Sequence, residues 1–501
     1  MGSRTCATVA LALLGSGCAQ LFGIDNTTGG GGDAHPTFVT MQVQRITVGP
    51  TVTRTPEDVS GLAASYFVDD ATDPSGIRRV PATVSATAMD TWSADIPTGD
   101  PPIEVALGAD YPDKFRRLYA FPQRNMKLLY GIYEDPNPVD PVAGSTIQAT
   151  INLPSAIAAG EAFQLYSMGA WAYHPFSAAE LGAATTQISA VIPYDTTAFS
   201  STSGRPIRKI GTDDQVLALR YVTNYDLTGA AEFTPFSLVD GGQASITATM
   251  TANPHAALDV HLAPATTAAR LAKPAPAGTT LAMAWSVNAA PGFEIANSTG
   301  PILQHGDVLM TDTGVITATF GNPFTSKGWH STFLWSSNKS RTYTVPSLNV
   351  PATLYTGIND IDEVAPGLTF DAEAPIPVLV SINQMPLTTD GNTIPLAASK
   401  SVELTMVADK TDALFYQWNV YEVRANAANT SAELHVAYVA LATVPKVTLP
   451  NDVFVAGRTY QIRAHCVKGG YPSFAEGNLW NRSLPYSVAY LDAGIFTVTA
   501  Q

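Results

Sequence analysis

The sequence predicts an all-β chain of several sandwich domains in series, and three observations carry that expectation. Short segments alternate apolar and polar residues with period two, which turns one face of a strand to a core and the other to water. Prolines and glycines, 36 and 38 of 501 residues, are spread throughout and punctuate those segments as turns. Hydrophobic residues make up 46% of the chain, enough for sizeable cores, and only Ser177-Ala178-Ala179-Glu180-Leu181-Gly182 reads as a helical turn.

The first element along the chain is the apolar run Val9-Ala10-Leu11-Ala12-Leu13-Leu14 behind a single basic residue, Arg4. It is too short to cross a hydrocarbon core, which takes about 20 apolar residues, and has the length of a signal-peptide core. Gly15, Ser16 and Gly17 leave the backbone open to a peptidase, and the next residue, Cys18, carries a thiol open to acylation. This segment resembles a bacterial lipoprotein signal, and Cys18-Ala19-Gln20-Leu21-Phe22-Gly23-Ile24-Asp25 is similar to the opening of predicted Gram-negative lipoproteins of unassigned function. The resemblance implies a signal peptide over 1–17 and lipid on Cys18. With Ala19 rather than Asp after that cysteine, it also implies the outer membrane or cell surface. An ordinary secretory signal cut nearby is the alternative, and it too exports the chain. Residues 18–36, with Gly29-Gly30-Gly31-Gly32, have little apolar side chain to bury after Ile24 and read as a flexible tether.

The body divides into four expected β-rich domains, 37–140, 141–270, 271–372 and 373–501, the first, second and last read as sandwiches. Their borders are the proline-dense Glu134-Asp135-Pro136-Asn137-Pro138-Val139-Asp140-Pro141, the segment Ala272-Lys273-Pro274-Ala275-Pro276-Ala277-Gly278, and Asp371-Ala372-Glu373-Ala374-Pro375. In the first domain Val39-Thr40-Met41-Gln42-Val43 alternates cleanly and then changes phase at Gln44-Arg45, as a bulge would require. In the second, Ile246, Ala248 and Met250 share one strand face; in the third, Ile316, Ala318 and Phe320 do; in the fourth, Val402, Leu404 and Met406. The last domain is the most legible. Tyr460, Ile462, Ala464 and Cys466 point one way and Gln461, Arg463 and His465 the other, behind a turn at Ala456-Gly457-Arg458-Thr459. This resembles the tyrosine corner of fibronectin type III domains, with Phe415 to Tyr421 as the central strand and Tyr486 to Val498 as the closing strands.

Composition narrows function. Charged residues are 14%, against roughly 25% in ordinary soluble domains, and 42 acidic against 27 basic residues give a net charge of −15. With no basic stripe to reverse that field locally, nucleic acid is not an expected partner. Of three cysteines only Cys466 falls in the body, so no intrachain disulfide is expected there and the cores must hold the fold.

The chemical motifs are few. There is no His-Glu-x-x-His, no Gly-x-Ser-x-Gly and no phosphate loop. His255 and His261 are about 20 Å apart on an extended strand, too far to share a metal. His465 and Cys466 are neighbours and face opposite ways, so the thiol reads as buried and inert. Two acidic clusters, Asp69-Asp70-Ala71-Thr72-Asp73 and Asn359-Asp360-Ile361-Asp362-Glu363, are candidate calcium loops, with solvated turns as the competing reading. Trp171 with Tyr173, and Trp329 with Phe333 and Trp335, are either core aromatics or sugar-stacking platforms.

The expectation is therefore a lipid-anchored envelope protein that is not an enzyme. It would act as a binding, adhesion or structural module, partnered by the membrane through its lipid and by an envelope protein or glycan, with no catalytic residue, no metal site and no cofactor assigned. The alternative is an extracellular hydrolase of glycan or protein whose site is assembled from dispersed acidic residues, marked by two carboxylates about 5–10 Å apart in a concave pocket. A transmembrane β-barrel fits poorly, because the prolines interrupt any series of ten-residue outward apolar segments.

Overall fold

The computed structural model describes residues 38–48, 52–95, 102–106, 116–134, 144–170, 172–182, 185–201, 207–212, 214–222, 225–292, 300–308, 314–370, 372–397 and 400–500. All described residues fall in one compact unit, 38–501. Cys18, the signal segment, the tether and Trp171 lie outside the described residues.

The described unit is all β, built as sandwiches whose inner faces carry the alternating apolar residues. In the first, the sheet containing Phe38–Val48 and Thr91–Asp95 encloses Met41 and Trp92 against Tyr66 and Val105 of Ala63–Asp69 and Ile103–Ala106. Phe38–Val48 changes register against Asn125–Glu134 between Arg45 and Thr47, beside the phase change in its sequence. In the second, Thr146–Asn152 and Gln243–Thr249 place Ile147, Ile246 and Ala248 against Phe163 and Leu165 of Ala162–Ser167. In the third, Ala256–Leu262 and Val315–Phe320 cover His330–Val345 and Val350–Glu363, burying Val260 and Ala318 against Phe333, Trp335 and Ile358. In the fourth, Pro377–Ile382 and Val402–Ala408 cover Phe415–Ala425 and Thr459–Gly469, around Trp418, Tyr460 and Cys466.

The sandwiches follow one another along the chain, yet three of them share a single sheet of thirteen described strands. Residues 356–361 pair antiparallel with 486–491, joining the third sandwich to the fourth. Residues 438–442 then pair in parallel with 116–120, joining the fourth to the first. The first core is accordingly completed from the far end of the sequence, by Phe415, Leu441, Val467 and Val488. The second sandwich packs through Met168, Leu217 and Leu219 into the core of the third.

Among the described residues two α-helices interrupt the sheets. Ala178–Leu181 is the expected turn, capped reciprocally by Ser177 and Glu180. Pro264–Leu271 was not expected. Proline fits its first turn, where no N–H is needed, and Pro264, Thr267 and Leu271 form a buried stripe at helical spacing. Its Arg270 donates to the carbonyls of Ala372 and Ala374 and pairs with Asp409 at 2.7 Å. Ala372 and Ala374 are fully buried, so that segment is strapped to the fold.

Candidate functional site

The cluster Asn359-Asp360-Ile361-Asp362-Glu363 lies in the strand Val350–Glu363, which corrects its expected place in a loop. Hydrogen bonding to strands on both sides, His330–Val345 and Tyr486–Ala500, outweighs the turn preference of Asp and Asn. The period of two then sends Asp360 and Asp362 to one face and Asn359 and Glu363 to the other. Asp360 and Asp362 line a cleft of about 180 Å³ at the seam of the third and fourth sandwiches, with Glu373, Lys468, Phe370 and Tyr486.

Asp360 is 3% exposed. One carboxylate oxygen accepts from the Ser487 hydroxyl, which in turn accepts from the Ala374 N–H at 2.9 Å; the other oxygen is closed off from solvent, and the Glu373 amide also pulls on the carboxylate. Burial raises this carboxyl to about 6, against the opposing pull of the Ser487 hydroxyl, the Glu373 amide and Arg270. Asp362 is also raised, by burial first and by the charges of Glu363 and Glu373, while the Glu363 N–H at 2.8 Å opposes the rise. The Lys468 ammonium is held by Asp412 at 2.9 Å and lies 3.7 Å from Glu373. Arg270 is committed to Asp409 and two carbonyls. No ion pair among the described residues reaches Asp360 or Asp362.

The second acidic cluster does form a turn. Asp70 accepts from the Thr72 N–H at 2.9 Å and from Arg78 at 3.2 Å, and Asp73 accepts from the Ser75 N–H at 2.8 Å. Hydrogen bonds from Thr72 and Ser75 respectively hold both carboxyls below their ordinary range. Among the described residues no group of three or more His, Cys, Asp or Glu is placed to hold a metal ion.

The remaining candidates are structural in placement. Trp329, Phe333 and Trp335 are 3%, 0% and 1% exposed, so they pack the third core and offer no platform to a sugar. Cys466 is buried against Met406, and burial pushes its thiol up. His465, on the opposite strand face, meets Asn419 at 3.3 Å; burial and the Arg463 charge lower it to about 3. His255 bonds the Leu227 carbonyl at 2.8 Å, while His261 sits in Ala256–Leu262. His174 contacts Glu180 and the Ala198 carbonyl, and Ser177 donates to that glutamate rather than to the imidazole.

One constellation had no sequence signal. Asp492, fully buried, accepts from Gln461 at 2.9 Å, from Arg463 at 2.6 and 2.9 Å, and from the Tyr355 N–H at 2.8 Å. Arg341 donates to the Asp492 carbonyl at 2.7 Å and pairs with Asp390 at 3.0 Å, whose carboxylate accepts from the Ile495 N–H at 2.9 Å. This network holds Tyr486–Ala500 where it changes partners from Val350–Glu363 to Asn392–Leu396.

No family model and no curated protein matches the chain. Among solved structures, a streptococcal ancillary pilin matches at 10% identity and a TM-score of 0.14, over 67% of this chain and 98% of the pilin. Native E. coli alpha-2-macroglobulin matches at 9% identity and a TM-score of 0.15, over 92% of this chain and 28% of its own. The same protein activated by porcine elastase matches at 9% identity and a TM-score of 0.14, over 92% of this chain and 44% of its own. Likenesses at these scores carry no argument about function.

Proposed function

We propose that this chain is a lipid-anchored envelope protein, held through Cys18 at the outer membrane or cell surface, whose β body is a non-catalytic binding module. The observation that carries the binding reading is the cleft at Asp360 and Asp362. The cleft gathers Asp360, Asp362 and Glu373 beside one lysine, Lys468, which Asp412 already holds, an acidic recess with room for a guest of opposite charge. The anchor rests on the residues around Cys18, and the last sandwich is read as fibronectin type III-like. The Tyr460 hydroxyl supports that last point, accepting from the Val455 N–H at 2.9 Å across the corner.

Intact mass of detergent-extracted protein tests the anchor: a chain beginning at lipid-modified Cys18 is expected, and an unlipidated start elsewhere refutes it. For the module, the purified body is used as bait on envelope extract, with an Asp360→Asn body as control. Enrichment that the variant loses is expected, and equal profiles refute a role for the cleft.

A second reading, hydrolysis, draws on one specific observation: Asp360, raised to about 6, stands beside Asp362 in the manner of an acid and its partner carboxylate. Release of reducing sugar or peptide from envelope material, abolished by Asp362→Asn, would favour it. No release at any pH from 4 to 8 excludes it.

A further inference from the structure

An edge strand turns a row of unpaired N–H and C=O groups outward, and any other extended chain can pair with it. Most of the longer edges described in this protein are blunted against that. Val52–Pro56 carries Arg54 and ends in proline, Ile77–Pro81 carries Arg78 and Arg79, and Asn392–Leu396 carries Pro395. Asn125–Glu134 and Ile302–Asp307 carry charge at Lys127 and Asp307. Side chains close two more: the Thr185 hydroxyl accepts from the Gln187 N–H at 2.8 Å on Gln187–Pro193, and the Gln304 carboxamide accepts from the Thr319 N–H at 2.6 Å on Val315–Phe320.

Gln243–Thr249 in the second sandwich has none of these devices. It holds no charged residue and no proline, and its 7 residues run parallel to Thr146–Asn152 without a bulge. The Gly242 carbonyl accepts from the Thr146 N–H at 3.0 Å and the Met250 N–H donates to the Asn152 carbonyl at 2.8 Å, so the even-numbered backbone groups turn to that neighbour. Alternation then turns the N–H and C=O of Gln243, Ser245, Thr247 and Thr249 to the outer edge, where no described strand pairs with them. The side chains of these four are exposed, while Ile246 and Ala248 are buried at 5% and 6% exposure. The strand also reads almost alike in both directions: Ala244-Ser245-Ile246-Thr247-Ala248 sets hydroxyl against hydroxyl and alanine against alanine about Ile246. A two-fold contact asks for that symmetry, because each residue of such an interface meets the counterpart of its own mirror position. Laid antiparallel on a second copy about Ile246, Ser245 of one chain stands opposite Thr247 of the other, and Gln243 opposite Thr249. All four residues have N–H and C=O groups to exchange on that side, and Ala244, Ile246 and Ala248 continue the inner layer across the join.

We propose that Gln243–Thr249 is a self-pairing edge, through which two copies of this chain join antiparallel about Ile246 into one continuous sheet. The inference goes beyond the binding reading and makes no use of the cleft at Asp360, so either can fail alone. A foreign extended peptide would use the same backbone groups but would have no need of the near-palindrome, which is why the occupant is assigned as a second copy.

The experiment is sedimentation velocity of the full chain carrying Cys18→Ser, so that no lipid drives association, over about 1 to 100 μM. A reversible monomer–dimer equilibrium is expected. Ser245→Lys together with Thr247→Lys sets lysine against lysine in both mirror pairs and should weaken dimerisation about tenfold or more. Ser245→Lys together with Thr247→Glu sets lysine against glutamate in both pairs and should restore it, as this register alone requires. Each variant is checked for a native unfolding transition. Hydrogen exchange on the chain with Ser245 and Thr247 intact gives a second readout that needs neither variant to fold: the amides of these two residues should exchange quickly in the monomer and slowly in the dimer. A monomer at every concentration, a dimer that the double-lysine variant leaves intact, or exchange at both amides that ignores concentration overturns the proposal. A lysine–glutamate variant that folds and stays monomeric, or assembly that grows past the dimer, overturns the two-fold register about Ile246.

Discussion

Replacing Asp360 by Asn is expected to stabilise the protein in alkali and to leave it unchanged in acid. A carboxyl whose folded-state pKa lies above its unfolded value binds its proton more tightly when folded. It therefore supports the fold at low pH, and that support is lost as pH rises from the unfolded value through the folded one. For Asp360 the two values are 3.8 and about 6, with burial as the main cause. The displacement corresponds to about 3 kcal/mol, present below pH 3.8 and gone above pH 6. Asn has the same shape, keeps an acceptor for the Ser487 hydroxyl and never charges, so it escapes that loss. Urea unfolding of the wild type and Asp360→Asn at pH 4 and pH 8 measures the effect. The two should differ by only about 0.5 kcal/mol at pH 4, and the variant should be more stable by about 3 kcal/mol at pH 8. A difference that does not change with pH, or a variant weaker than the wild type at pH 8, would refute the placement of a charged, half-satisfied carboxylate at this wall.

Asp492→Ala removes the acceptor of Gln461, of Arg463 and of the Tyr355 N–H, leaving buried donors uncompensated; urea unfolding should register a loss of about 3 to 5 kcal/mol. A loss below 1 kcal/mol would show that water replaces the carboxylate. Cys466 is fully buried and its thiol is raised by burial, so a thiol reagent at pH 8 should label the native protein only as fast as it unfolds. Labelling as fast as in urea would contradict its packing against Met406. The Asp70 and Asp73 carboxylates are engaged within their own turn, and Asp360 and Asp362 are the two acids of their cluster on one strand face. The melting temperature should accordingly be equal in calcium and in chelator, and a rise of several degrees with calcium would identify a site.

Legibility in the sequence followed the range of the forces involved. The alternations at Ile246, Ala248 and Met250, and at Val402, Leu404 and Met406, are local, and each of these side chains is buried in the structure. The capped turn after Ser177 is local too. Pro264–Leu271 escaped because its buried stripe includes Thr267, a hydroxyl satisfied by the Ala263 carbonyl at 3.0 Å, where apolar periodicity alone leads one to expect a hydrophobe. Asp360 and Asp362 carried a usable signal in their spacing of two, obscured by the turn preference of their residue types. Asp492 carried none, because its burial depends on Arg463, Gln461 and Tyr355, residues 29 to 137 positions away. Nor does any local pattern announce that residues 116–120 will lie parallel to 438–442.

That last pairing has a bearing on the order of events during folding. Strands from both ends of the described chain close the same sheet, and the first core takes Phe415, Val439 and Val488 among its members. While the chain is being synthesised from its amino end, the first sandwich therefore waits with one flank unpaired until more than three hundred further residues have been made. Contacts so distant in sequence form slowly, and an unpaired strand edge is the surface through which chains stick to one another. Truncation from the carboxyl end should thus damage the amino-terminal sandwich as much as the one it removes.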